Sequence, residues 1–320
     1  MNTHVTKIAV VLPSYKTKDH ILDVLANIPG NVTDIIVVDD CCPEHTGGYV
    51  KENCKDTRVM VLFHEQNAGV GAATVTGFKK ALAIKADIIV KIDSDGQMDP
   101  KHIPRFVDLI EEGECDYAKG NRFYSLEYLW SMPRTRKIGN AYLSFLTKLS
   151  SGYWDIMDPT NGFIAINAKV LALLPLDKLE KRYLFETDML FRLNTVRACV
   201  RDVPMKAHYG EEISNLKVVN SIPEFFLGNM KRFFKRLFYN YLLRDFNIAT
   251  IHGIAGIILT LFGGTFGAIE WYLYAKAQIP APTGIIILAV LPIIIGTQLM
   301  LAAISYDMAQ TPKKVLHKSL

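Results

Sequence analysis

The sequence predicts an α/β fold: a mostly parallel sheet with helices on both faces, followed by an interfacial helix and two transmembrane helices. Three observations predict it. Through the first 220 residues, near-continuous Val/Ile/Leu runs alternate with helical patterns, the way strands covered on both faces of a parallel sheet read. From residue 248 onward, two stretches long enough to cross a bilayer carry almost no charge. Between them and the sheet, residues 221–247 repeat aromatics and leucines at helical spacing, with basic residues among them.

The strands are expected in KIAVVLPSY (7–15), DIIVVDD (34–40), VMVLFHE (59–65) and DIIVKIDSD (87–95). The helices between them are expected at Asp19–Ile28, Ala72–Lys85 and Pro104–Glu112. Residues 1–220 are thus expected to form the N-terminal α/β domain, 221–247 an amphipathic juxtamembrane helix, 248–306 a transmembrane hairpin and 307–320 a basic tail. The alternative for 221–247 is an ordinary helix packed on the N-terminal domain.

Ile248 to Ala275 has one charge, Glu270, and Gly284 to Tyr306 has none. The connection between them, KAQIPAPTG, is short and turn-rich, so both helix ends return to one side. Lys231, Arg232, Lys235, Arg236 and Arg244 precede the hairpin and three lysines follow it, against Lys276 alone in the loop. The excess of positive charge leads us to expect the N-terminal domain and both termini in the cytoplasm, in an integral protein of the cell inner membrane or its equivalent. The small residues of GIAGIILTLFGG permit close helix packing, which makes a homo-oligomer possible.

Composition agrees. Half of the 320 residues are hydrophobic, and the mean hydropathy is slightly positive. A net charge of +4 is no nucleic-acid footprint. The five cysteines fit no zinc spacing and read as reduced thiols of a cytosolic domain. The N-terminal apolar run is too short for a signal peptide and Pro13 breaks it.

Ligands of such sheets lie beyond the carboxyl ends of the strands. Pro13-Ser14-Tyr15, Asp39-Asp40, His64 to Gly71 and Asp93-Ser94-Asp95 all fall there, so one shared site is expected. Asp93 and Asp95 leave the strand on the same side. With Gln97 they form an oxygen donor set suited to Mg2+ or Mn2+, which would bridge a diphosphate. Asp39 and Asp40 suit a base imide or ribose hydroxyl, and Tyr15 a stacked base. Alternatively the two acids cap a helix or close a turn. Asn67 and Gly71 belong to N-x-G-x-G, whose glycines let a backbone approach closely before a helix N-terminus. Ser94 lies between the two acids at the same strand end. Arg122 and Arg136 suit phosphate, with solvated surface as the alternative. Asp158 in DPTNGF, and Glu186 and Asp188 in FETDML, add acids. The latter two have a helix-capping role as their alternative.

Taken in order, VVLPSY, IIVVDD, HEQNAGVGAA, KIDSDGQMDP, KGNRF, DPTNGF and FETDML resemble the inverting glycosyltransferases of GT-A fold, a Rossmann-like architecture, over about the first 215 residues. With the C-terminal helices, the chain resembles the polyprenyl-phosphate glycosyltransferases of the dolichol and undecaprenyl type. The resemblance implies that Pro13, Tyr15, Val38 and Asp40 hold the nucleotide, and that Asp93, Asp95 and Gln97 hold metal and diphosphate. It implies that Arg122 faces the site and Asp158 lies near metal and sugar. Asp188 matches the usual base position. Arg136 and Asn140, in RKIGN, match an R-x-x-x-S lipid-phosphate site, with asparagine as a departure. AHYGEEISNLK lacks the basic residue of the mannose synthases, which points to a UDP-sugar donor. The expected product is a lipid-linked monosaccharide for cell-envelope glycans. The rival readings are extension of a lipid-linked saccharide or glycolipid hydroxyl, a sugar-nucleotide-binding scaffold, and a nucleotidyltransferase.

Overall fold

A computed structural model describes residues 5–124, 134–205 and 218–320, except for the side chains of 134–136 and 218–222. Seven strands, β1 (Ile8–Ser14), β2 (Asp34–Asp39), β3 (Val59–Phe63), β4 (Ile88–Lys91), β5 (Tyr117–Asn121), β6 (Ile164–Asn167) and β7 (Val200–Pro204), form one sheet. Their order is β3-β2-β1-β4-β6-β5-β7. The four expected strands are there, parallel and contiguous. The second half departs from a purely parallel sheet, because β6 runs antiparallel to both β4 and β5. Ile164, the first residue of β6, pairs with Lys91 at the end of β4 and with Lys119 of β5. The loop that enters β6 therefore arrives at the edge where β4 ends, and brings the DPTNGF segment with it.

The helices are α1 (Lys18–Ala26), α2 (Thr46–Asn53), α3 (Val70–Ala83), α4 (Ile103–Glu111), α5 (Arg134–Ser151), α6 (Ala168–Ala172) and α7 (Phe185–Thr195). Alternation along β1 sends Val10 and Leu12 into one core with Ile21, Leu25, Phe106 and Ile110, while Ala9 and Val11 enter another with Phe78, Phe185 and Leu190. So α1 and α4 cover one face, and α3 and α7 the other. Gly77 lets α3 sit directly on β1, since a Cβ there would run into Val11.

Two compact units follow from the contacts: Met1–Phe234 with Pro312–Leu320, and Lys235–Thr311. The first unit thus runs past the expected boundary at 220. Helix α8 (Val218–Leu237) explains this. Within the first unit its Asn229 accepts a hydrogen bond from Ser150 at 2.6 Å, and Gly228 packs against Leu184. Phe226, Leu227 and Phe234 are exposed. The segment 221–234 is thus a helix packed on the first unit that also presents an apolar face.

In the second unit, α8 passes into a π-helical stretch, Phe238–Arg244, and then α9 (Ile248–Ala277) and α10 (Thr283–Ala309). Both are long and apolar enough to cross a membrane. They approach closely where Gly256 meets the Gly296 carbonyl and Gly263 meets that of Ala289. Arg236 forks onto Asp307 at 2.6 and 2.9 Å, and Tyr241 donates to the same carboxylate.

Residues 312–320 rejoin the first unit. The fully buried Asp116 accepts from the backbone N–H groups of Leu316 and His317, from His317 Nδ1 at 2.7 Å, and from Cys199 N. Val315 and Leu316 pack against the two cores. Residues 312–320 of the expected basic tail are thus docked on the first unit.

Candidate active site

Asp93 and Asp95 follow β4 directly. Asp95 Oδ1 accepts from Gln97 N at 3.1 Å, a turn closed by Gly96 with φ of +79°. Among the described residues, no three metal-ligating side chains converge. Two carboxylates on one turn, with an amide nearby, nevertheless fit Mg2+ or Mn2+ that takes its remaining ligands from water and a diphosphate. They do not fit a metal caged by protein alone.

Beneath them lies a lysine absent from the expected site. Lys91, 1% exposed, places Nζ 2.7 Å from Asp93 Oδ1 and 3.6 Å from Glu186 Oε1. Burial opposes its charge, but Asp93, Glu186 and Asp95 outweigh burial and hold its pKa above the usual lysine value. On the same face, Lys119 is fully buried and donates to the Asn161 carbonyl. Burial lowers its pKa to about 8 against the pull of Glu186 and Asp158. A lysine inside IIVKID, otherwise a buried apolar strand, was the signal that could have found Lys91.

Asp158 is fully buried, and Arg122 closes on it as a fork, Nε at 2.6 Å and Nη2 at 2.9 Å, with Arg122 N at 3.1 Å. Asn161 Nδ2 donates to the same carboxylate. The pair was expected as two separate contributors, and the structure makes it one unit. Beside it, Asp202 accepts from Asn121 Nδ2 and Met157 N, and burial raises its pKa to about 6.

Glu186 and Asp188 both lie in the first turn of α7, facing different partners. Glu186 turns to Lys91. Asp188 accepts from Arg192 Nε and Arg232 Nε, each at 2.8 Å, and from Glu180 N at 3.2 Å. Both of its oxygens are committed, which is a poor arrangement for a general base. Neither acid caps the helix, whose N-cap is Leu184.

Several expected ligand residues are engaged within the protein instead. Asp39 accepts from Cys42 N at 2.7 Å and Gly47 N at 2.6 Å. Asp40 accepts from Ala68 N, Gly69 N and His64 Nδ1, and its carbonyl takes the Asn67 amide. These two acids therefore shape the turns beyond β2 and pin the N-x-G-x-G loop. Gly71 leaves room for the Glu180 carbonyl, so its close approach is to protein backbone. Ser94 donates to the Pro13 carbonyl at 2.8 Å and bonds Thr17, tying β1 to β4. Val38 is buried in the core, and Tyr15 is exposed at the strand edge. Arg136 is in the first turn of α5 with its side chain outside the described residues, and Asn140 follows one turn later on the same helix, partly buried. AHYGEEISNLK, at 207–217, lies outside the described residues.

Residues 9–174 match the family model described as glycosyl transferase family 2. The chain is 33% identical over 218 residues to UDP-N-acetylglucosamine–dolichyl-phosphate N-acetylglucosaminyltransferase of Methanococcus voltae, which covers 64% of this chain and 86% of that protein. It is 28% identical over 203 residues to undecaprenyl-phosphate mannosyltransferase of Micrococcus luteus, 62% of this chain and 82% of that one. Among solved structures, glucosyl-3-phosphoglycerate synthase from Mycobacterium tuberculosis, in complex with Mn2+, UDP and glucosyl-3-phosphoglycerate, matches with a TM-score of 0.53 at 19% identity, over 72% of this chain and 80% of that one. That likeness shows the fold.

Proposed function

The chain belongs to glycosyl transferase family 2 and is a glycosyltransferase of GT-A fold; from that premise we propose that it transfers a sugar from a UDP-sugar to a polyprenyl phosphate, with inversion and with a divalent metal, at the cytoplasmic face of a membrane. The observation that carries this reading is the 33% identity across 86% of a protein named for a dolichyl-phosphate acceptor. The two apolar helices support a membrane-embedded acceptor, and the basic residues flanking them support the orientation.

The reaction then proceeds by attack of a lipid-phosphate oxygen on the anomeric carbon, as the bond from that carbon to the UDP oxygen breaks and its electron pair leaves with UDP. The acceptor oxygen is already an anion, so no proton has to be removed. This agrees with the commitment of Asp188 to Arg192 and Arg232. Asp93, Asp95 and Gln97 would hold a metal whose chemistry is to neutralise charge on the leaving diphosphate. The Arg122–Asp158 pair fixes the wall beside the sugar, and Tyr15 offers a face to the base. Arg136 and Asn140 are proposed to take the lipid phosphate, and the remaining work is orientation. The product would serve cell-envelope glycan synthesis or modification.

The test is turnover of purified protein in detergent with Mn2+, undecaprenyl phosphate and each of a panel of UDP- and GDP-sugars. Lipid-dependent release of UDP from one UDP-sugar, abolished by EDTA and by Asp95→Ala, is the expected result. Release that depends on a hydroxyl acceptor instead of the lipid phosphate would overturn it.

A further inference from the structure

We propose that Lys91 is a positioning residue of the transfer: a cation built into the floor of the site that holds Glu186 away from the metal and leaves the metal to Asp93, Asp95, Gln97 and the donor diphosphate. The proposal rests on the reading that Asp93 and Asp95 serve a metal-bound diphosphate.

The starting point is an anomaly of residue type. β4 lies inside the sheet between β1 and β6, and its other residues are Ile88, Ile89 and Val90. Lys91 is 1% exposed there. A buried ammonium is tolerated only where it is paired. Its partners are Asp93 at 2.7 Å and Glu186 at 3.6 Å, one from the turn after its own strand and one from α7. Lys91 thus links the two acidic motifs that enter the site from different elements.

The enclosure is tight. A side chain at Gly162 would run into both the Lys91 ammonium and Asp93 Oδ2, so the loop entering β6 closes over this pair. Lys119, in register with the same Ile164, supports that loop through the Asn161 carbonyl. The two buried lysines divide the work: Lys119 bonds loop backbone, and Lys91 bonds the carboxylates.

The electrostatic consequence is specific. Asp93 and Glu186 meet the same ammonium at 2.7 and 3.6 Å, and Asp95 follows Asp93 in the same turn, so carboxylates crowd the end of β4 closely enough to repel. Without a fixed cation, the cheapest relief would be a shared divalent ion held by all three. With Lys91 present, Glu186 turns to the ammonium instead. The nucleotide-free protein is thereby kept a weak metal site, and the metal acquires its full ligand set only with the donor diphosphate.

This makes a prediction of unusual sign. Lys91→Met removes the cation and leaves the acids, so Mn2+ binding to the nucleotide-free protein, read by EPR of free Mn2+, should tighten by roughly tenfold as a carboxylate becomes available. Turnover should fall by about a hundredfold as the metal settles in the wrong place. A lysine with only a structural role gives no gain in metal affinity. The double variant Lys91→Met/Glu186→Gln removes one acid with the cation; it should return Mn2+ affinity toward wild type while turnover stays low. It also supplies a folded protein should the single variant be too unstable. Unchanged or weakened Mn2+ binding in a folded Lys91→Met protein, or in the double variant a loss of affinity well below wild type, overturns the proposal. If Asp95→Ala binds Mn2+ and turns over as wild type does, the underlying reading of the metal site fails instead.

Discussion

Asp188 and Glu186, two residues apart on the first turn of one helix, have opposite surroundings, and those surroundings decide what each can do. Asp188 joins two guanidinium groups, one on its own helix and one, Arg232, on α8. Removing one partner of a buried charged pair strands the others, typically by about 3–5 kcal/mol. Asp188→Asn is therefore expected to lower the melting temperature markedly and to reduce turnover by weakening α7. The pH–rate profile should keep its acid limb unchanged, since no essential base is lost; loss of turnover in a protein that melts as wild type does would identify Asp188 as a base. Asp202 supplies a second prediction. Burial raises its folded pKa to about 6, above the unfolded value near 4. The stability this group contributes is complete below about pH 4 and lost as pH rises through about 6. Asp202→Asn should thus gain stability relative to wild type on going from pH 4 to pH 7, by up to ~3 kcal/mol, seen as a widening difference in melting temperature. A pH-independent difference would contradict it. The place of Asp93 and Asp95 just beyond β4 was legible in the sequence, because the two acids directly follow an apolar run. Asp39, Asp40 and Ser94 stand at the same edge, yet the two carboxylates accept from backbone groups of the adjoining turns and the Ser94 hydroxyl donates to the Pro13 carbonyl of β1. Residue type does not reveal that choice; only the path of the turn does.

At the scale of elements, the apolar strands of the first half announced themselves and the later ones did not. β5 reads YAKGN, with a lysine and a glycine, and its burial comes from neighbours in the sheet rather than from its own pattern. β6, IAIN, is apolar but only four residues long, with no longer apolar run through it to mark it as a strand. The antiparallel course of β6 was equally unreadable, although it is what carries the Asp158–Phe163 loop to the site. Helix α3 was legible, and its seat on β1 depends on Gly77 facing Val11. Gly77→Ala should destabilise by about 1–3 kcal/mol through overpacking, despite alanine's better helix propensity. An unchanged or raised melting temperature would mean that α3 can move off the sheet without loss.

At the scale of the whole molecule, the chain leaves the catalytic unit at residue 234, forms the apolar hairpin, and rejoins the catalytic unit at residue 312. The hairpin was plain from composition. The return was not, because PKKVLHKSL looks like a solvated basic tail, and only the fold reveals Asp116 waiting for its backbone. Deleting 312–320 leaves a fully buried carboxylate without those donors, a change of about 1–3 kcal/mol for each unsatisfied interaction. The deletion is expected to lower the melting temperature, with Asp116→Asn partly restoring it by removing the stranded charge. No change on deletion would show that the segment is not docked in solution. Since the tail and the catalytic unit are one body, single cysteines placed at 313 and on the catalytic surface should label from the same side of sealed vesicles.

The central claim is that the sugar acceptor is the phosphate of a polyprenyl lipid. Mass spectrometry of the lipid extract, after incubation with Mn2+, undecaprenyl phosphate and the active UDP-sugar, tests it most directly. The account predicts one new species, the lipid phosphate carrying a single sugar through a phosphodiester, absent with Asp95→Ala. A reaction that consumes the donor but leaves the lipid phosphate unmodified, with the sugar appearing instead on a hydroxyl of a lipid-linked saccharide, would contradict it.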